Sequence, residues 1–257
     1  MLTMKARYFI DLGAQFHDLS LLYYSRSLAN GEPLSAQERG GVQEHLERVY
    51  VLCSELRLST ARELIRTRTD HDRLPRTAGE FEILKDAVYA ELGDKYFVYI
   101  PSERLEYYDT SKIVSKRVRD AFPSADKELR SAGNCYALGL ATASVFHSMR
   151  AVELAIQVMA NALEVQFSYP INLAEMGKLI EACEEAIQKL KEGPRSVQKD
   201  ADLKFYSEAA AQFRHFNNGW RIRVSHARES YEDAQAKDVL DHVRAFFETL
   251  ATRLKEF

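Results

Sequence analysis

Between positions 213 and 228 the chain reads Phe-Arg-His-Phe-Asn-Asn-Gly-Trp-Arg-Ile-Arg-Val-Ser-His-Ala-Arg. This stretch holds four arginines, two histidines and three aromatic rings, and no acidic residue. The whole chain has a formal net charge of −3, so the sign of charge reverses locally here. Arg221 and His226 have four residues between them. A guanidinium holds a phosphate with two parallel hydrogen bonds, and an imidazole moves a proton near neutral pH. Together they are a minimal kit for cutting RNA without a metal. Spacing alone does not establish that chemistry, because Arg and His also settle at helix C-termini, where they satisfy the last carbonyls and the dipole.

A second segment adds weight. Val145-Phe146-His147-Ser148-Met149-Arg150-Ala151-Val152-Glu153 lies inside a strongly helical pattern. On a helix Phe146, Arg150, Glu153 and Gln157 share one face beside the apolar stripe. One reading pairs Arg150 with Glu153 at i, i+3, a surface contact worth only about 0.3 kcal/mol. The other has Glu153 reach Arg221 or His226 across a bundle and orient it.

The elements that must position these groups are helices. The apolar residues recur at alternating spacings of four and three. They do so at Val42, Leu46, Val49, Cys53 and Leu56 and again at Val145, Met149, Val152, Ile156, Met159 and Leu163, while Val239, Val243, Phe247, Leu250 and Leu254 form a further apolar stripe with steps of four, four, three and four. The six prolines, Pro33, Pro75, Pro101, Pro123, Pro170 and Pro194, fall between these patterns. Ser35 with Glu38, and Thr77 with Glu80, read as capping boxes. Asn172 with Glu175, and Ser230, read as further helix starts. The stripe Tyr206, Ala210, Phe213, Asn217, Trp220, Val224 keeps its register across Asn217-Asn218-Gly219, so a helix is expected to continue or kink through that point.

Residues 95–109 differ. Tyr96-Phe97-Val98-Tyr99-Ile100 is aromatic and β-branched and suits either a short hairpin or an extended linker. The expected organisation is an all-α helical bundle with that one optional hairpin. It divides into an N-terminal helical region at 1–95, a connecting segment at 96–119 and a second bundle at 120–257.

Composition bounds the rest. Hydrophobic residues make up 46% and charged residues 28% of 257, the balance of an ordinary globular chain. Cys53, Cys135 and Cys183 are odd in number and far apart, which fits reduced residues in a cytoplasmic protein better than a disulfide framework or a metal cluster. No segment reaches the roughly 20 apolar residues of a membrane span. No Walker loop, dinucleotide glycine fingerprint or ligand set is present, so no metal and no cofactor is expected.

The run from Phe146 to Glu153, followed about sixty residues later by Trp220-Arg221-Ile222-Arg223-Val224-Ser225-His226, resembles the HEPN superfamily over roughly residues 120–256. The family motif is an arginine, four to six residues, then a histidine, which Arg221 and His226 match. The resemblance implies a helical bundle that cleaves RNA without a metal, in a toxin–antitoxin or antiphage defence system. It also implies a homodimer that brings two motifs together and, in some systems, a cognate antitoxin protein. Some members are instead non-catalytic RNA-, nucleotide- or protein-binding modules. A polar residue often follows the arginine in active members, and this chain has Ile222 there. On this reading Arg221, His226 and Glu153 form the catalytic set. Arg214, Arg223 and Arg228 hold flanking phosphates, and Phe216 offers a stacking face to RNA bases. Phe213 and Trp220 lie on the core stripe.

Overall fold

The computed structural model describes residues 6–28, 34–70, 73–194, 196–225 and 230–256. Every regular element among them is helical. The chain divides into two compact units, Met1–Phe97 and Val98–Phe257.

The first unit contains α1 (Ala6–Leu28), α2 (Ala36–Glu55), α3 (Ser59–Arg66) and α4 (Ala78–Gly93). The Ser35 side chain accepts from the Glu38 backbone N–H and the Glu38 carboxylate accepts from the Ser35 N–H, closing the expected capping box. Thr77 caps α4 in the same way through Glu80 N–H, while the Glu80 carboxylate reaches back to Arg76 N–H at 2.7 Å. α3 has no side-chain cap of its own. Glu91 of α4 supplies one from outside, accepting from Ala61 N–H at 2.8 Å. Leu12, Phe16, Leu19 and Tyr23 of α1 are buried against Val42, Leu46 and Val49 of α2 and Phe81 and Leu84 of α4. Tyr23 stacks on Phe81 at 5.1 Å and donates its hydroxyl proton to the Pro75 carbonyl at 2.7 Å, so its polar tip is satisfied inside the core.

The second unit contains α5 (Lys116–Ala121), α6 (Pro123–Ala137), α7 (Ala141–Ala162), α8 (Met176–Glu192), α9 (Val197–Phe216), a π-helical turn (Asn217–Arg221), α10 (Ile222–Ser225) and α11 (Asp233–Leu250). Helix α7 is the hub and packs on α6, α8, α9 and α11. Its stripe Val145, Met149, Val152, Ile156 and Met159 is buried, and so are the small residues Ser144, Ser148, Ala151 and Ala155 that let neighbours approach closely. An arc through Phe146, Arg150, Glu153 and Gln157 is left reaching the surface. Burial pushes the Cys53 and Cys183 thiols up to about 12, so neither is a thiolate near neutral pH.

Three expectations need correction. Residues 95–109 hold no strand. After Pro101 the chain turns through a 3₁₀ helix, Ser102–Tyr107, and Tyr107 is buried against Tyr136 at 4.9 Å. A strand needs a ladder, and this helical surrounding offers none. Helix α8 starts at Met176, not after Asn172, because Pro170 opens a 3₁₀ turn over Ile171–Leu173 that absorbs Asn172 and leaves Leu173 exposed. Helix α11 is capped by Glu232, with Gln235 closing the box, and not by Ser230. Tyr231 intervenes, buried, with its N–H donating to Thr142 Oγ1 at 3.0 Å.

Candidate functional site

Glu153 and Arg221 come together. Glu153 lies on the surface arc of α7, the most enclosed helix of the unit, so its carboxylate is only 33% exposed. Arg221 ends the π turn that follows α9 and is 27% exposed. The Arg221 Nε–H donates to Glu153 Oε1 at 2.6 Å, across 68 residues of sequence. A π turn places more residues in each turn than an α-helix and recurs where a side chain must be re-aimed. Here it lets Phe213, Phe216 and Asn217 sink into the core while Arg221 turns toward α7. The guanidinium is therefore held at one edge, and among the described residues its Nη groups have no partner.

Arg150 does not compete for Glu153. It donates from Nε to Glu128 of α6 at 3.0 Å, and His147 Nδ1 meets the other oxygen of Glu128 at 2.8 Å. A local i, i+3 pairing loses here to a carboxylate that takes two donors at once. Burial pushes the Glu128 carboxyl up, but the hydrogen bonds from Arg150 and His147 outweigh it and hold the group below its usual value.

The remaining expected residues that are described take other positions. Arg214 is engaged by Glu184 of α8, with Nε donating at 2.8 Å. Arg223 is exposed on α10. His226 and Arg228 lie outside the described residues. Phe216 is not a stacking face. It is 1% exposed, wedged between Trp220 at 5.5 Å and Phe246 at 5.3 Å. The buried arc of α9 takes in Ala209 and Phe216, seven residues apart on one side, as well as Ala210 and Phe213. Trp220 is partly exposed, with His215 at 5.0 Å and His242 at 6.1 Å from its ring. Glu128, His147 and His242 carry no role in the sequence reading. Of these, His147 stands inside the quoted α7 segment beside Arg150, but Glu128 joins them only through the packing of α6 on α7.

Chemically, a guanidinium held at one edge can receive an oxyanion at its other donors, and the neighbouring carboxylate keeps it from swinging into solvent. Among the described residues no three His, Cys, Asp or Glu side chains converge as a metal set, and no helix is long and apolar enough to cross a membrane. Compared with known proteins, the chain matches no family model, and no curated protein or solved structure is significantly similar to it.

Proposed function

We propose that the second unit is a HEPN-like, metal-independent endoribonuclease of a toxin or antiphage system. The observation that carries this reading is the Arg221 guanidinium, anchored through Nε by Glu153 while its Nη groups have no partner among the described residues. In the reaction the ribose 2′-hydroxyl attacks the adjacent phosphorus and the P–O5′ bond breaks. The 2′-hydroxyl proton passes to a base and the departing 5′-oxygen receives a proton, leaving a 2′,3′-cyclic phosphate and a 5′-hydroxyl. His226 moves a proton, and Arg221 neutralises the charge that builds on the phosphate oxygens. One histidine does not serve readily as acid and base in the same step, so a homodimer pairing two His226 side chains suits the chemistry. On this reading Arg223 and Arg228 would hold flanking phosphates, and a cognate antitoxin is the protein partner this class would need.

The test is cleavage of single-stranded RNA in EDTA. Wild type should release cyclic-phosphate ends, and His226→Ala or Arg221→Ala should lower the rate by about 10²-fold or more without unfolding the chain. Equal residual cleavage by wild type and His226→Ala refutes the catalytic reading. Ile222, half-buried where active relatives often carry a polar side chain, favours a second reading, a binding module that holds RNA without cutting it. That reading requires RNA affinity that falls with salt and with loss of Arg221 or Arg223.

A further inference from the structure

We infer that the rings of His215, Trp220 and His242 form a stacking platform for an unpaired nucleobase of single-stranded RNA, beside Arg221. The inference rests on the RNA reading above and adds the part of the ligand that a guanidinium does not read.

Three segments supply the rings: α9 gives His215, the π turn gives Trp220 and α11 gives His242. His215 meets the indole at 5.0 Å with an interplanar angle of 79°, and His242 lies at 6.1 Å and 45°. Phe216 sits at 5.5 Å and 40°, and Phe246 packs behind it. Phe216 and Phe246 are buried and give the indole a rigid floor, whereas His215 and His242 are exposed and Trp220 is partly so. A tryptophan serving only as core filler would be enclosed by apolar side chains. Two of the three rings around this one are exposed imidazoles.

Three of the four imidazole nitrogens of His215 and His242 have no hydrogen-bond partner among the described residues. His215 hydrogen-bonds to none of the described residues. His242 Nδ1 lies 2.6 Å from the Asp238 carbonyl, which can only accept, so Nδ1 donates there and Nε2 is left for a ligand. Every base has a π-face for such rings and polar edges for such nitrogens. Trp220 and Arg221 are consecutive, so a short stretch of one strand reaches both the rings and the guanidinium. Aromatic packing explains why the π turn turns Trp220 toward α11 while Arg221 turns toward α7.

Trp220 is the single tryptophan of the chain, so its emission reports this site alone. The experiment titrates the full chain in EDTA with a dye-labelled short 2′-O-methyl oligoadenylate, which cannot be cut because its 2′-hydroxyls are blocked. A matched abasic sugar-phosphate oligomer is the control. Label anisotropy reads binding and Trp220 emission reads stacking. The oligoadenylate should quench Trp220 in step with the rise in anisotropy. The abasic oligomer should bind more weakly and leave the emission unchanged. The His215→Ala/His242→Ala protein should bind oligoadenylate about tenfold more weakly, the order of one lost base–ring stack. Both histidines are exposed, so their truncation spares the core, and circular dichroism checks this. Quenching in the unsubstituted protein decides the matter independently of any variant. Anisotropy that rises while Trp220 emission stays constant overturns the platform and leaves the Arg221 reading standing. No rise in anisotropy with either oligomer overturns both.

Discussion

Replacing Glu153 by Ala removes the acceptor that lies 2.6 Å from Arg221 Nε. Two unit charges about 4 Å apart attract by about 1 kcal/mol in water and about 4 kcal/mol at an effective dielectric near 20. These side chains are 27% and 33% exposed, so screening pulls the value well below the upper figure. Fixing two long side chains in one geometry costs rotamer entropy as well. The expected coupling is about 1 kcal/mol, at the top of the range for exposed pairs. A double-mutant cycle of Glu153→Ala, Arg221→Ala and the double variant isolates it. Urea unfolding followed by Trp220 emission is the assay, because the only tryptophan lies in the second unit and the readout does not mix in the first. Glu153→Gln keeps an oxygen acceptor and loses the charge, so it should recover about half of the loss, since charge-assisted bonds are roughly twice as strong as neutral ones. RNA cleavage should fall about tenfold in Glu153→Ala, less than in Arg221→Ala, because the guanidinium survives but loses its orientation. A coupling below about 0.3 kcal/mol, within ordinary additivity, refutes the claim that this pair holds the arginine.

Three further outcomes follow from elements that frame the site. Glu256 accepts from the backbone N–H groups of Ser124 at 2.9 Å and Ala125 at 3.2 Å, capping α6 from the far end of the chain, so Glu256→Ala should cost about 1 kcal/mol in the same urea assay and Glu256→Gln less. Gly133→Ala places a Cβ 2.8 Å from the Tyr107 carbonyl oxygen and 3.0 Å from Ile113 Cδ1; backbone must shift, and a loss of about 2 kcal/mol is expected, whereas an unchanged urea midpoint would show that the 3₁₀ turn gives way freely. Hydrogen bonds from Arg26 and Ser35 lower the Glu38 carboxyl from 4.5 to about 2. Its folded pKa is depressed, so its stabilisation is full above about 4.5 and fades as pH falls through about 2. The melting-temperature gap between wild type and Glu38→Gln should close over that window, and a gap that persists at the acid end contradicts the assignment.

Much of the helical framework was legible because burial enforces a period. The stripes of α2, α7 and α11 could be read residue by residue, since an apolar side chain out of register would face water. Local signals misled where tertiary packing set a different boundary. Asn172 is a good cap by type, but Pro170 commits the next residues to a 3₁₀ turn. Ser230 is also a good cap by type, yet burying Tyr231 moves the start of α11 to Glu232. The Tyr96–Ile100 run has strand composition, but composition describes a fit to a pleated surface, and no neighbouring strand supplies one.

The contact between Arg221 and Glu153 was accessible for a different reason. Glu153 is the acid of the α7 polar arc, and a carboxylate on so enclosed a helix needs a cation brought to it by another element. Sequence spacing favoured Arg150, three residues away, because it weighs neighbours on one helix and is blind to α6. Glu128 settles the competition by taking Arg150 and His147 together, which frees Glu153 for Arg221. The fate of Phe216 turns on the same blindness. A regular α-helix through Asn217 would keep Phe213, Asn217 and Trp220 on one stripe and leave Phe216 at its margin. Phe216 instead shares the buried side of α9 with Ala209, and the π turn lays Trp220 over it and sends the next side chain, Arg221, toward α7. One irregular turn thus decides both which aromatic ring reaches the surface and which cation meets the carboxylate. Asn217-Asn218-Gly219, poor helix formers placed together, were its visible sign in the sequence.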